Sequence, residues 1–300
     1  MTPQQIDTLA QEIVRQHSHT FAPCTPQPVP ATTEPSPIYQ AALQACSTLG
    51  FIAPDAQCLA RAWLAQTKRT GSFDPSHWPD TAEDFGLQAR PQPTHFAPCP
   101  HALGLYAVLP DAQWVGRMAR AGVPTVQLRY KSEDASAIEQ EVQAAVQAVQ
   151  GTAARLFIND HWEAALAAKA YGIHLGQEDL DAMRPEDLER IRTGGLRLGV
   201  STHGYAEMVR ADAVGPSYIA LGAVFPTTLK RMATAPQGVA RLAAYVGLMQ
   251  HYPLVAIGGI GIEQFASIRA TGVGSIAVVR AVVNAPQPEA AATALLQAMA

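Results

Sequence analysis

The sequence predicts an α/β chain: a (β/α)8 TIM barrel preceded by a small, mostly helical N-terminal extension. Two observations carry this. From Gly104 onward, short apolar runs alternate with helix-length amphipathic segments to the end of the chain, and eight such units are the arithmetic of the closed barrel. Several of the runs also deliver polar residues to their own C-terminal ends, the rim on which barrels of this class gather their functional groups. The expected strands are 104–109, 124–130, 155–159, 172–176, 197–201, 218–222, 253–258 and 275–279. The expected helices include 112–121, 136–150, 161–170, 185–193, 239–250, 262–270 and 288–299. A doubly wound open sheet does not require eight units, and the glycine-rich segments lie late in the chain rather than after the first strand.

The extension reads differently. Residues 4–16, 39–49 and 54–68 have helical periodicity, with a proline-dense stretch from Pro23 to Pro37 that prevents a helix. A second proline cluster, Pro91, Pro93, Pro98 and Pro100, marks the expected boundary. The expected division is therefore 1–100, a helical, proline-rich extension of unknown role, and 101–300, the barrel.

With 48% hydrophobic and 15% charged residues and a net charge of -4, the chain has ample core and no basic block, which argues against nucleic acid or an anionic membrane as partner. No run approaches the roughly 18 apolar residues of a membrane span, and the N-terminus lacks a secretory signal, so the expected location is the cytoplasm. A homo-oligomer is compatible with the sequence. The four cysteines, Cys24, Cys46, Cys58 and Cys99, form no close pair and read as reduced, incidental thiols.

The chemistry sits at the strand ends. In Val126–Lys131, alternation sends Gln127, Arg129 and Lys131 to one face. An amide, a guanidinium and an ammonium suit phosphate, and a solvated strand end is the plain alternative. Asn159-Asp160 and Gln177-Glu178-Asp179 supply oxygens for Mg2+, which takes one or two carboxylates beside substrate phosphates; helix capping is the alternative at each. Ser201 ends the fifth strand. A long loop after the sixth runs from Gly222 to Lys230, and Gly258-Gly259 and Val279-Arg280 follow the seventh and eighth, where barrels hold a phosphomonoester. His174 reads as an interior histidine with satisfied nitrogens.

Taken in order, V-Q-L-R-Y-K, L-F-I-N-D, G-I-H-L-G-Q-E-D-L, L-G-V-S-T-H, I-A-L-G-A-V-F-P-T, A-P-Q-G and V-A-I-G-G-I resemble the thiamine-phosphate synthases over about 103–284. The resemblance implies a transferase that joins a hydroxymethylpyrimidine diphosphate to a thiazole phosphate and releases pyrophosphate, with Mg2+ as cofactor. It assigns Gln127, Leu128, Arg129, Tyr130, Lys131, Asn159, Ser201 and Lys230 to the pyrimidine diphosphate, with Arg129, Lys131, Ser201 and Lys230 as the catalytic set. Thr227, Thr228, Leu229, Gly259, Val279 and Arg280 fall to the thiazole phosphate, and Asp160 and Asp179 to Mg2+. Leu229 and Arg280 stand where the family usually has threonine and serine. A thiazole tautomerase-like barrel would have no need of the paired carboxylates with Arg129 and Lys131. A non-catalytic regulator that binds thiamine precursors is the rival of another class. The first 100 residues match nothing in the family's pattern.

Overall fold

The computed structural model describes residues 1–22, 25–88, 95–227 and 234–300. Eight parallel strands close into a barrel in chain order: β1 (Gly104–Leu109), β2 (Thr125–Leu128), β3 (Arg155–Asn159), β4 (Gly172–Leu175), β5 (Arg197–Thr202), β6 (Tyr218–Leu221), β7 (Leu254–Ala256) and β8 (Ser275–Val278). Closure is made by β8 pairing back onto β1, Gly104 opposite Ser275 and Ala107 opposite Val278. The expected strands are all present, most of them trimmed by one or two residues at an end and the fifth longer by one. Helices follow the strands in sequence, including Ala135–Ala148, Pro185–Thr193 and Pro288–Met299. Three helices lie outside the expected spans: Gln177–Ala182 and Arg280–Val283 are short, and Tyr205–Val214 has a weak apolar stripe.

Alternation along each strand sends every second side chain inward. Leu103, Tyr106, Val108, Phe157, Tyr218, Ala220, Val255 and Ala277 meet there as one apolar cluster. Three rings fill its middle: Phe157 lies 5.1 Å from Tyr218 and 5.9 Å from Tyr106, centroid to centroid, and the two tyrosines are 5.9 Å apart. Room for the Tyr218 ring comes from β5, where a Cβ on Gly199 would lie 2.1 Å from its Cζ.

Residues 95–103 close the N-terminal end of this barrel. Phe96 is buried, and its N–H donates to Gly215 O at 3.0 Å. Ser217 Oγ donates to Ala97 O, Arg197 Nε to Pro98 O, and Leu103 N–H to Ser275 Oγ. The proline cluster that marked a boundary in the sequence thus includes residues bonded into the barrel. Burial pushes the Cys99 thiol up to about 11, against the opposing charge of Arg197.

A second compact unit comprises Met1–Ala89 with Gly204–Ala213 and Gly247–Met249. Its helices α1 (Pro3–His17), α2 (Pro37–Thr48) and α3 (Ala53–Thr70) follow the expected periodicity. Trp78, half-buried, lies 4.6 Å from Phe21, 5.0 Å from His17 and 5.7 Å from Phe51, ring to ring, and donates its indole N–H to Tyr205 OH at 3.0 Å. Phe85 stacks on Tyr205 at 5.4 Å.

The start of the helix Tyr205–Val214 is capped from α3. Gly204 has no side chain to offer, and a Cβ there would lie 2.0 Å from Asp55 Oδ2. The buried Asp55 carboxylate takes that place and accepts from Ala206 N–H at 2.9 Å. Asp55→Ala is expected to destabilise this unit by about 1–2 kcal/mol, the usual worth of an N-cap. Urea unfolding measures it, and a change within error of zero would show that the cap carries no stability. Cys99 is expected to alkylate slowly at pH 8 and faster only as pH nears its raised pKa; rapid reaction of Cys99 with iodoacetamide at pH 8 would contradict the burial effect.

Candidate active site

At the C-terminal rim the barrel opens into a cavity of about 690 Å³, within the usual range for a small-molecule site. β2 gives it Gln127, and the chain beyond gives Arg129 and Lys131, as alternation requires. Arg129 N–H still pairs with Leu109 O at 2.8 Å, so the extended run outlasts the strand. Leu128 is buried and Tyr130 half-buried; neither lines the cavity, because both fall on the opposite face.

β3 ends at Asn159, buried, and Asp160, whose backbone turns left-handed at φ 64°, a conformation that aspartate tolerates better than most residues. That turn lets Asp160 N–H donate to His174 O at 3.0 Å, and the carboxylate accepts from Lys131 Nζ at 2.6 Å. Capping does not explain Asp160: no side chain caps the following helix, Trp162–Ala167. Capping does act at Asp179, whose Oδ2 accepts from Gly176 N–H at 3.0 Å. Both carboxylates and Glu178 line the cavity. His161 turns away, its Nε2 lying 3.0 Å from Tyr130 O.

Ser201, at the end of β5, lies at the cavity with its Oγ 2.8 Å from His174 Nε2, and Gln177 Nε2 donates to its carbonyl at 2.7 Å. The Gln177 amide thus serves the backbone of β5. Past β6, Thr227 lines the cavity, whereas Thr228, Leu229 and Lys230 lie outside the described residues. Glycine is required opposite this loop. Gly258 and Gly259 have φ of 107° and 66°, and a Cβ on Gly259 would lie 2.5 Å from Pro226 O. Phe225 N–H donates to Gly258 O at 2.9 Å, drawing the two connections together. Gln237 ties the preceding strand ends, its amide donating to His203 O and Gly222 O. Gly259, Val279 and Arg280 all line the cavity.

The site therefore has two characters. Val108, Ala220, Ile257, Ala277 and Val279 make an apolar wall able to take a flat ring, and Arg129, Lys131, Arg280 and the four carboxylates of Asp160, Glu178, Asp179 and Glu263 surround it with charge. Sequence reasoning missed the layer beneath. Tyr106 OH donates to Gln127 Oε1 at 2.9 Å and lies 2.8 Å from Tyr218 OH, which is 2.7 Å from His174 Nδ1. His174 is an interior histidine with both nitrogens hydrogen-bonded. The signal for the tyrosines was present in the alternation of G-L-Y-A-V-L and Y-I-A-L, which puts both on the inner face.

Burial holds the Tyr106 and Tyr218 hydroxyls well above the ordinary phenol range. Because the folded state keeps these protons while the unfolded chain releases them above pH 10, stability is full below pH 10 and falls as pH rises beyond it. The slope is expected to be up to about 1.4 kcal/mol per pH unit for each tyrosine. Replacing Tyr218 by Phe should make the fall shallower, as read from unfolding free energies between pH 9 and 11; an unchanged slope would refute its origin in Tyr218.

A profile of the thiamine monophosphate synthase family matches residues 105–282. A thiamine-phosphate synthase of Cronobacter sakazakii is 52% identical over 202 residues, 67% of this chain and 95% of that protein. One of Neisseria meningitidis serogroup B is 52% identical over 195 residues, 65% of this chain and 94% of that protein. Among solved structures, a thiamine phosphate pyrophosphorylase from Pyrococcus furiosus aligns with 28% identity and a TM-score of 0.58, covering 66% of this chain and 95% of its own. These matches, with the barrel and its cavity, make the chain a member of the thiamine-phosphate synthase family.

Proposed function

We propose that the chain condenses 4-amino-2-methyl-5-(diphosphooxymethyl)pyrimidine with a hydroxyethylthiazole-type phosphate, giving thiamine phosphate and pyrophosphate. The observation that carries this is the convergence of Arg129, Lys131, Asp160, Asp179 and Ser201 with an apolar wall on one cavity, in a chain of which about two thirds aligns with synthases at 52% identity. The bond from the pyrimidine methylene carbon to the diphosphate oxygen breaks, the thiazole nitrogen takes that carbon, and the bonding pair leaves with pyrophosphate. The protein's task is to stabilise a departing anion and a benzylic-type cation. Arg129 and Lys131 supply fixed positive charge at the rim, and Lys230, placed by the resemblance, adds a third. The apolar wall holds the ring and keeps water from the cationic carbon.

The carboxylates fit Mg2+. Asp160 gives one oxygen to Lys131 and Asp179 one to Gly176 N–H, and among the described residues the other oxygen of each accepts no hydrogen bond. No cluster of three His, Cys, Asp or Glu side chains among the described residues could hold a metal. Mg2+ takes only one or two carboxylates, with water and substrate phosphates completing its shell. When bound it supplies positive charge against the leaving diphosphate. Thr227, Gly259, Val279 and Arg280, with Thr228 and Leu229, form the side for the thiazole phosphate. No helix among the described residues is long and apolar enough to cross a membrane.

A steady-state assay for thiamine phosphate with both substrates and Mg2+ tests this reading; absence of product at saturating substrates would refute it and favour a precursor-binding role. Asp160→Ala and Asp179→Ala are each expected to lose most activity, with partial recovery at raised Mg2+. Parental rate and Mg2+ dependence in either variant would remove that residue from the metal site. Lys230→Ala is expected to lower kcat about 100-fold or more, with a smaller change in KM for the pyrimidine substrate. An unchanged kcat with a raised KM would limit Lys230 to ground-state binding.

A further inference from the structure

Five hydrogen bonds run in an unbroken line beneath the cavity, from Ser201 through His174, Tyr218, Tyr106 and Gln127 to Asn159. Gln127, Asn159, His174 and Ser201 line the cavity, whereas Tyr106 and Tyr218 are buried behind them, so each tyrosine hydroxyl proton must go to a protein acceptor. Gln127 Nε2 donates to Asn159 Oδ1 at 2.8 Å, which turns Gln127 Oε1 toward Tyr106, and the Tyr106 hydroxyl gives its only proton there, at 2.9 Å. Tyr106 can then meet Tyr218 only as acceptor, which uses the only proton of Tyr218 across 2.8 Å. Tyr218 in turn can meet His174 Nδ1, 2.7 Å away, only as acceptor. His174 must therefore carry its proton on Nδ1. In a neutral ring Nε2 is then an acceptor, and the Ser201 hydroxyl donates to it across 2.8 Å.

We propose that Tyr106 and Tyr218 are positioning residues that lock His174 in the Nδ1–H tautomer and thereby commit the Ser201 hydroxyl proton to the ring. Ser201 then turns oxygen lone pairs, not a proton, to the cavity, and it meets a hydrogen-bond donor of the substrate. On the synthase reading, on which this last step rests, the amino group of the pyrimidine is such a donor. The lock needs the Tyr218 ring held in place, and Gly199 provides the space for it. Neither tyrosine lines the cavity, so their effect passes through the lining residues they bond, Gln127 from Tyr106 and His174 with Ser201 from Tyr218.

Nitrogen-15 NMR of the full chain labelled at histidine, at pH 8 and without substrate, reads the tautomer directly. The expected result is a pyrrole-type Nδ1 and a pyridine-type Nε2 for His174. Tyr106→Phe keeps the ring but removes the acceptor of the Tyr218 proton, which can then turn to Nδ1. That variant is expected to shift His174 toward the Nε2–H form. Tyr218→Phe removes the acceptor itself, so a mixture of tautomers is expected, with kcat lowered about 10- to 100-fold, the usual effect of losing the partner that orients a functional histidine, and KM less changed. A parental ring already in the Nε2–H form, or a tautomer unmoved in both variants, would overturn the proposal. Because the spectrum is taken without turnover, failure of the lock and failure of the synthase reading give different results: the first alters the spectrum, and the second leaves the parent without product.

Discussion

A buried hydroxyl must find a partner, and in this barrel two of them find each other. Tyr106 and Tyr218 face inward from β1 and β6 at the level where the interior is filled by aromatic rings, and their hydroxyls lie 2.8 Å apart. The net gain from one such bond is about 1 kcal/mol, but leaving either oxygen unpaired would cost about 1–3 kcal/mol. That asymmetry ties six strands together: β1 and β6 carry the tyrosines, and β2, β3, β4 and β5 carry Gln127, Asn159, His174 and Ser201. The apolar half of the barrel thereby fixes the orientation of the polar half.

Charge is arranged above that floor. Lys131 pairs with Asp160 in the resting protein at 2.6 Å, and an exposed lysine in such a pair contributes little stability, so the contact can be exchanged for substrate phosphate at small cost. Asp160 reaches the site through a left-handed backbone, and Gly258 and Gly259 let the connections after β6 and β7 approach one another. Backbone conformation of this kind places functional groups that regular strands alone would not reach.

Much of this was legible in the sequence because strands alternate with period two. The same rule that put Gln127, Arg129 and Lys131 on the cavity face put Leu128 and Tyr130 on the other, and inheritance of the whole motif as substrate-binding passed over it. Capping and metal binding could not be told apart from sequence at Asp160 and Asp179; geometry shows a cap at Asp179 and none at Asp160. The Tyr106–Tyr218 contact spans 112 residues, and no local pattern reports a partner at that separation. For the same reason the Asp55 cap on the helix Tyr205–Val214 was invisible: Gly204 looks like a turn residue until the carboxylate filling its place is seen.

On the proposed function, one cavity holds both substrates, with the diphosphate and its metal between Asp160 and Asp179. A crystal structure of the chain with thiamine phosphate, pyrophosphate and Mn2+ in place of Mg2+ tests it most directly. An anomalous peak bonded to both carboxylates is expected, with pyrophosphate reaching toward Arg129 and Lys131 and the thiazole phosphate at Gly259. A metal bound elsewhere, or product lodged outside the barrel rim, would contradict it.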